Sequence, residues 1–573
     1  METAPTFGEL VELFKRGEMA SQMARRFGMD TKSGTRVIEE RCIALHNGRI
    51  IDLLALVEDN ALQRLDGTDF FLASHFFCQL LPELQAEPGR MMACVDALVT
   101  RGGNDGAANQ PNGAFVKWCA NVPHRASEVI TAAHRGDDLA SQHLSFALTA
   151  ISDLAEARRI AVRYEGIRRQ AAIAALGRIE HPDPESCSQT FSVFKALLDV
   201  GIDDPVRASA LHATMEILAR SPKIAPLGEN ALISQLVMNP GKFTTHQCAR
   251  ALWACREALT SDIVACLLGA LDNLESANKG TVEELDMGLR VLMENGYAEA
   301  ALSFVTKLLS RTDDDLELET LDSFTSTLLA GSSDVLGRVL VRWLKLGAPR
   351  LCSGLAKAIQ GPGLDGAPLS FEAEDLAISP TEQLFICRKA VGWFFFKPTT
   401  ACSVLVSVLR VCDMDTSREV RKLLVDPLLQ NYGGVRDYLG RLAPEDAASK
   451  AVTWALAQND SYLEAQRSIP RIVELQPSEH HRRIEQLRIS DQMRDAHKEA
   501  ESGSIFLNLV SRSVLLYGNR SLTFVDDGQD NLRAMEIDLH AHEISYEMPR
   551  MEVIDPVGLD YILRMFRHER MEE

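Results

Sequence analysis

The sequence predicts a mainly α-helical chain whose helix pairs stack into an α-α superhelix, ending in a small C-terminal antiparallel β module with a terminal helix. Three observations carry this. Helix-length segments with apolar residues at steps of three and four follow one another through the middle of the chain. Breakers separate them at roughly 15–22 residue intervals, so that two helices make a unit of roughly 35–42 residues. Only the last part is rich in β-branched and aromatic residues between turn signals.

Residues 1–150 read as an N-terminal helical region, with helices over 7–16, 35–61, 68–84 and 90–101 and a Gly/Asn-rich loop at 101–113. The regular repeats occupy 151–360. There Asp183 is placed as an N-cap, Pro184 at the first helical position and Gly201 just past the end. The next helix repeats this chemistry, with Asp204 as cap, Pro205 opening and Pro222 beyond the end. Its Val206, Ala210, Ala213 and Ile217 share one face. The acidic run 313–319 reads as a helix start, since acids favour the positive end of the helix dipole. A Gly/Pro-rich loop spans 360–380, and 361–502 reads as a second helical region ending in a long polar helix over about 478–502. Residues 503–573 read as the β-rich module, with turns at Gly518-Asn519 and Asp527-Gly528 and roughly three to five short strands. Asp555-Pro556 opens the final helix, whose face of Leu559, Ile562, Leu563 and Phe566 is expected to cover the sheet, because an isolated hairpin is not stable in water.

The stretches 165–186 and 203–218 resemble HEAT repeats, which favour an Asp, then Val-Arg, then Ala and Leu at helical spacing. Asp204, Val206, Arg207, Ala210 and Ala213 match that pattern, as do Ile167, Arg168, Ala171 and Ala174 in the earlier stretch. The resemblance is specific over 165–218 and architectural elsewhere. It implies a right-handed curved stack of helix pairs that binds partners on its concave face.

Composition narrows the function classes. Hydrophobic residues are 46 % and charged residues 24 % of 573, ordinary for a folded chain. A net charge of −20 disfavours nucleic acid as a general partner. Several of the twelve cysteines (Cys78, Cys248, Cys255 and Cys402 among them) sit in apolar helical contexts and none forms a C-x-x-C pair, so a reduced, cytoplasmic setting is expected. The first residues show no basic start before an apolar run, so no signal peptide is expected. The most apolar stretch is broken at Lys397-Pro398, so no membrane span is expected.

Local motifs for catalysis are incomplete. Gly241-Lys242 lacks the upstream glycine and following hydroxyl of a phosphate loop, and reads as a helix-ending turn. Ser192 and Lys195 form S-x-x-K without its partner motifs. His540 and His542 share a strand face and make a weak metal candidate without a third ligand, and His480-His481 diverge on a helix. The turn at 525–530 lacks the closing Glu of a calcium loop. No metal or other cofactor is expected. The five tryptophans and the run 393–396 read as core.

Basic clusters are the strongest candidates for binding. Arg158, Arg159, Arg163, Arg168 and Arg169 place Arg159, Arg163 and Arg168 near one side of a helix if the segment is continuous. A second cluster, Arg482, Arg483, Arg488 and Arg494, alternates with acids and suits intrahelical pairs. The expectation is a non-catalytic scaffold, adaptor or regulatory subunit that binds one or more proteins. A nucleic-acid-binding version using the arginines at 158–169, or an enzyme assembled from distant residues, are the alternatives.

Overall fold

Caps and breakers set the helix starts in the computed structural model, which describes residues 5–27, 34–103, 109–221, 230–311, 314–331, 333–359, 366–470, 472–502, 510–515, 520–526, 532–538 and 547–571. Two units divide the chain, Met1–Gly331 and Ser332–Glu573.

The first unit opens with α1 (Phe7–Lys15), α2 (Met19–Phe27), α3 (Gly34–Asn47), α4 (Ala55–Glu58), α5 (Gly67–Leu80) and α6 (Pro88–Gly102). It continues with α7 (Gln110–Asn121), α8 (Pro123–His134), α9 (Asp138–Ile151), α10 (Leu154–Arg163), α11 (Gly166–Arg178), α12 (Pro184–Val200) and α13 (Asp204–Arg220). It closes with α14 (Asn230–Leu236), α15 (Lys242–Ala254), α16 (Ser261–Ala270), α17 (Lys279–Glu294), α18 (Ala298–Leu309) and α19 (Asp322–Ala330). Each odd-numbered helix from α7 to α19 packs on the next odd one, and α10, α12, α14, α16 and α18 form a second row. Residues buried between the rows, such as Leu176, Leu211, Leu252 and Leu289, form a continuous apolar spine.

The repeat is written in side-chain bonds as well as in length. Helices α11, α13 and α15 start at 166, 204 and 242, each 38 residues after the last. Asp183 caps α12 as expected, accepting from Ser186 N. For α13 the cap is Asp203, one residue before the expected Asp204. Asp204 instead reaches the next unit and accepts from the backbone N–H groups of Gly241 (2.9 Å) and Phe243 (2.7 Å) and from Thr244 Oγ1 (2.6 Å). Asp286 does the same for α19, accepting from Ser323 N and Phe324 N at 2.9 Å each. Arginines tie down the turns between helices: Arg101 donates to the Gln63 and Leu65 carbonyls, and Arg311 to those of Asp272 and Leu274. Every helix end leaves backbone groups unpaired, and here the next repeat satisfies some of them.

Three N-terminal and acidic expectations need correction. The segment 35–61 is two helices, α3 and α4, and α2 precedes them. The acidic run does not start an α-helix: only a short 3-10 turn, Leu318–Thr320, lies at its end, α19 begins at Asp322, and Asp314 straps back to accept from Ser276 N and Oγ. Gly241 caps the start of α15 rather than ending a helix.

The second unit holds α20 (Ser333–Leu346), α21 (Pro349–Ala358), α22 (Pro380–Phe394), α23 (Pro398–Val411), α24 (Met414–Leu423), α25 (Gly434–Gly440), α26 (Ser449–Ser468) and α27 (Glu479–Ser502). After these come β1 (Val510–Leu515), β2 (Arg520–Asp526), β3 (Leu532–Asp538), α28 (Arg550–Ile554) and α29 (Pro556–His568). Phe394 and Phe395 are core, whereas Phe396 is 53 % exposed.

The expected C-terminal β module with a terminal helix covering it is overturned. The chain is overwhelmingly helical, and residues 503–573 do not form a self-contained module. Backbone pairing joins β1, β2 and β3 in an antiparallel ladder, but the terminal helix docks on α22 within the helical body. Gly392 lets α22 and α29 approach closely, since a Cβ there would lie 3.0 Å from Phe566 Cβ. The fully buried Lys389 donates to the carbonyls of Arg567 and Glu569 at 2.6 Å each, and Arg388 pairs with Glu569 at 2.7 Å. The face of Leu559, Ile562, Leu563 and Phe566 is the buried one as expected, but on a helix instead of a sheet.

Candidate binding surface

The five arginines at 158–169 are divided by the break between α10 and α11, where Tyr164 and Glu165 are extended. Arg158 is tied into α12, donating to Ser186 O (2.7 Å), Gln189 Oε1 (2.8 Å) and Thr190 Oγ1 (3.0 Å). Arg159 pairs with Glu156 at 2.5 Å. Arg163 and Arg168 lie over the Tyr164 ring, at 5.5 and 4.3 Å, and Arg169 donates to Ala161 O at 3.1 Å. His134 completes this knot: Nε2 donates to Glu156 (3.0 Å) and Nδ1 accepts from Tyr164 Oη (2.9 Å), the tautomer that an ionised Glu156 requires. The Arg159 guanidinium, helped by His134, holds the Glu156 carboxyl below its usual range. These residues brace a turn.

His540 and His542 lie outside the described residues, as does most of 525–530. His480 and His481 are exposed on α27, and the described residues contain no group of three metal-ligating side chains. Ser192 Oγ donates to Ser188 O, an ordinary helical bond. Burial pushes the thiols of Cys78, Cys119, Cys248, Cys255 and Cys352 up to about 12, the opposite of what a thiolate nucleophile needs. No described helix is long and apolar enough to cross a membrane.

Two grooves in the first unit show how its polar groups are used. One of about 740 Å³ holds Arg90, which is spent on Glu58 (2.7 Å) and Asp52 (2.8 Å), and His46, whose Nδ1 accepts from Leu53 N. The other, of about 940 Å³, lies where α15 and α17 begin and is lined by Lys242, Phe243, His246 and Lys279, with Glu275 as its carboxylate. Phe243 is 47 % exposed under Lys242, whose Nζ sits 4.9 Å from the ring centre.

One turn along α15 from His246 is Arg250, on the same helix face. It has no hydrogen bond or ion pair with a described residue. Arg250 is one of four groups whose charges act on His212, with Glu216, Arg178 and Arg220. The repeat relates these residues: His212 and Arg250 are equivalent positions 38 residues apart, as are Arg178 and Glu216. Gly177 lets α11 and α13 touch, since a Cβ there would lie 2.7 Å from Ala213 Cα. Arg178 stacks on Phe146 at 4.9 Å, donates to Ser145 Oγ at 3.2 Å and accepts through its carbonyl from Arg220. The Arg178 side chain is accessible, yet enough protein crowds it for desolvation to lower its pKa. Glu216 bonds Arg220 at 3.3 Å. Desolvation likewise lowers the His212 pKa, with the arginines adding to it and Glu216 opposing. The 38-residue spacing of His212 and Arg250 was the one available signal for this cluster.

No protein-family model matches the chain, and no curated protein matches it. Among solved structures, one described as an engineered protein aligns over 79 % of this chain and 98 % of its own at 14 % identity, with a TM-score of 0.19, a likeness too slight to carry an argument.

Proposed function

We propose that the chain is a non-catalytic binding protein, a scaffold, adaptor or regulatory subunit built on HEAT-like helix pairs, whose odd-numbered helices hold an acidic segment of a partner protein. One observation supports this above others. In a chain of net charge −20, the odd-numbered helices α11, α13 and α15 carry Arg178, His212, Arg220, Lys242, His246 and Arg250, against which stand Glu216, paired with Arg220, and Glu275 in the groove beside Lys242. Long-range repulsion from the rest of the molecule is screened beyond about 8 Å at physiological salt, so a local basic face still attracts an acidic segment. Successive repeats that each present basic side chains suit an extended ligand.

Poly-L-glutamate is a direct probe. Labelled peptide is expected to bind the full chain in a salt-dependent manner, and Lys242→Glu with Lys279→Glu should weaken it about tenfold or more. Lys195→Glu on α12, in the other row, should change it less than twofold. Equal weakening by both sets, or no binding at low salt, would count against the reading.

A further inference from the structure

The terminal helix α29 is apolar on two sides. Leu559 and Leu563 are buried, and through them the helix docks on α22. On the opposite side Val557, Tyr561 and Met565 recur every four residues and form a ridge along the helix. Val553 and Ile554, at the end of α28, precede them. These five side chains are 55–78 % exposed. Single apolar residues on a surface need no explanation, but a ridge running the length of a helix marks a contact surface.

The charges along the same segment name what fits it. The acids Glu552, Asp555 and Asp560 stand toward the start of α29, and the bases Arg564, His568 and Arg570 toward its end and just past it, all of them exposed. Opposite charges at the two ends already have other partners: Arg550 donates to Gln466, and Glu569 pairs with Arg388. The face is therefore acidic at one end, apolar in the middle and basic at the other. A second copy of the helix laid antiparallel meets acid with base at both ends, whereas a parallel copy sets like against like. The helix dipoles favour the same orientation.

We propose that this ridge is a self-association surface on which the terminal helix of a second copy of the chain packs antiparallel. A two-fold axis at Tyr561 sets Val557 of one copy against Met565 of the other and the two Tyr561 rings against each other. In such a pair the same flank of each helix meets, so Arg564 reaches Asp560 of the second copy. Within one chain these two pair along the helix at 2.8 Å, on the exposed side where partners can be exchanged. A face one helix long is small beside the roughly 800 Å² per partner of a standard interface, so the dimer is expected in the micromolar range. The proposal is independent of the acidic-segment reading, which concerns the first unit.

Sedimentation velocity of the full chain from about 1 to 200 µM should show monomer giving way to dimer. Tyr561→Glu with Met565→Glu, both exposed and checked by circular dichroism, should weaken association about tenfold or more. Met414→Glu, at an exposed apolar residue of α24, should change it less than twofold. Arg564→Asp should weaken the dimer, and adding Asp560→Arg should restore it. Orientation is read by crosslinking under mild oxidation, with the wild type as background. Tyr561→Cys should give a disulfide-linked dimer, whereas Val557→Cys and Met565→Cys should crosslink when mixed but not each with itself. A chain that stays monomeric at every concentration would overturn the proposal, as would a dimer indifferent to the new charges at Tyr561 and Met565. Failure of the charge swap to rescue, or equal self-crosslinking at all three positions, would overturn the antiparallel pairing on which it stands. A monomer that floats with phosphatidylcholine vesicles, and loses this in the Tyr561→Glu and Met565→Glu variant, would give the ridge to a lipid surface instead.

Discussion

Single residues show where polar chemistry is tied to the fold. His143 is buried against Phe115, and neither ring nitrogen has a hydrogen-bond partner of normal geometry. Burial lowers its pKa from the ordinary 6.5, against a push from Asp96 and the Met92 backbone. The folded value lies below the unfolded one, so the stability of the neutral ring is complete above about pH 6.5 and is lost as pH falls through the folded value. Urea midpoints of the wild type should therefore drop between about pH 6.5 and 5 more than those of His143→Leu. Parallel midpoint curves would show that the ring does not titrate as described. Asp204 is the second case. Asp204→Ala strips the start of α15 of its cross-repeat cap, and should destabilise the chain by about 2 kcal/mol in urea denaturation. An ordinary exposed carboxylate would cost far less.

Elements are positioned by close approaches that spacing along one helix does not reveal. Gly177 brings α11 onto α13 so tightly that a methyl group must displace backbone. Gly177→Ala is expected to lose about 1–3 kcal/mol by overpacking, although alanine is the better helix former by about 1 kcal/mol. A thermal melt at or above that of the wild type would refute the contact. In the second unit the terminal helix α29 is clasped by Lys389, whose ammonium satisfies two carbonyls at the helix end. Lys389→Met keeps the bulk and orphans those carbonyls. Amide exchange across Pro556–His568 should accelerate about tenfold or more, with α20 and α21 little changed. Unchanged exchange across this helix in Lys389→Met would mean that apolar packing alone holds the helix.

At the scale of the molecule, the first unit closes its own hydrogen bonds, from Arg101 near its beginning to Asp286 near its end. Residues 1–331 expressed alone are therefore expected to keep cooperative unfolding and the helical circular dichroism of the repeat array. A fragment that melts without a sigmoidal transition would show that this unit does not fold by itself. The sequence by itself determined most helices, the cap at Asp183, the buried face of the last helix and a repeat of roughly 35–42 residues, because helix periodicity and end chemistry act within a few residues. It also marked arginines at 158–169, but could not tell that α10 ends among them and that Arg158 turns to α12. Which cations are spent and which face solvent was decided only by tertiary structure. The partners of Asp204, Arg158 and Arg220 lie roughly 30–40 residues away on the neighbouring repeat, and packing between repeats brings them within reach.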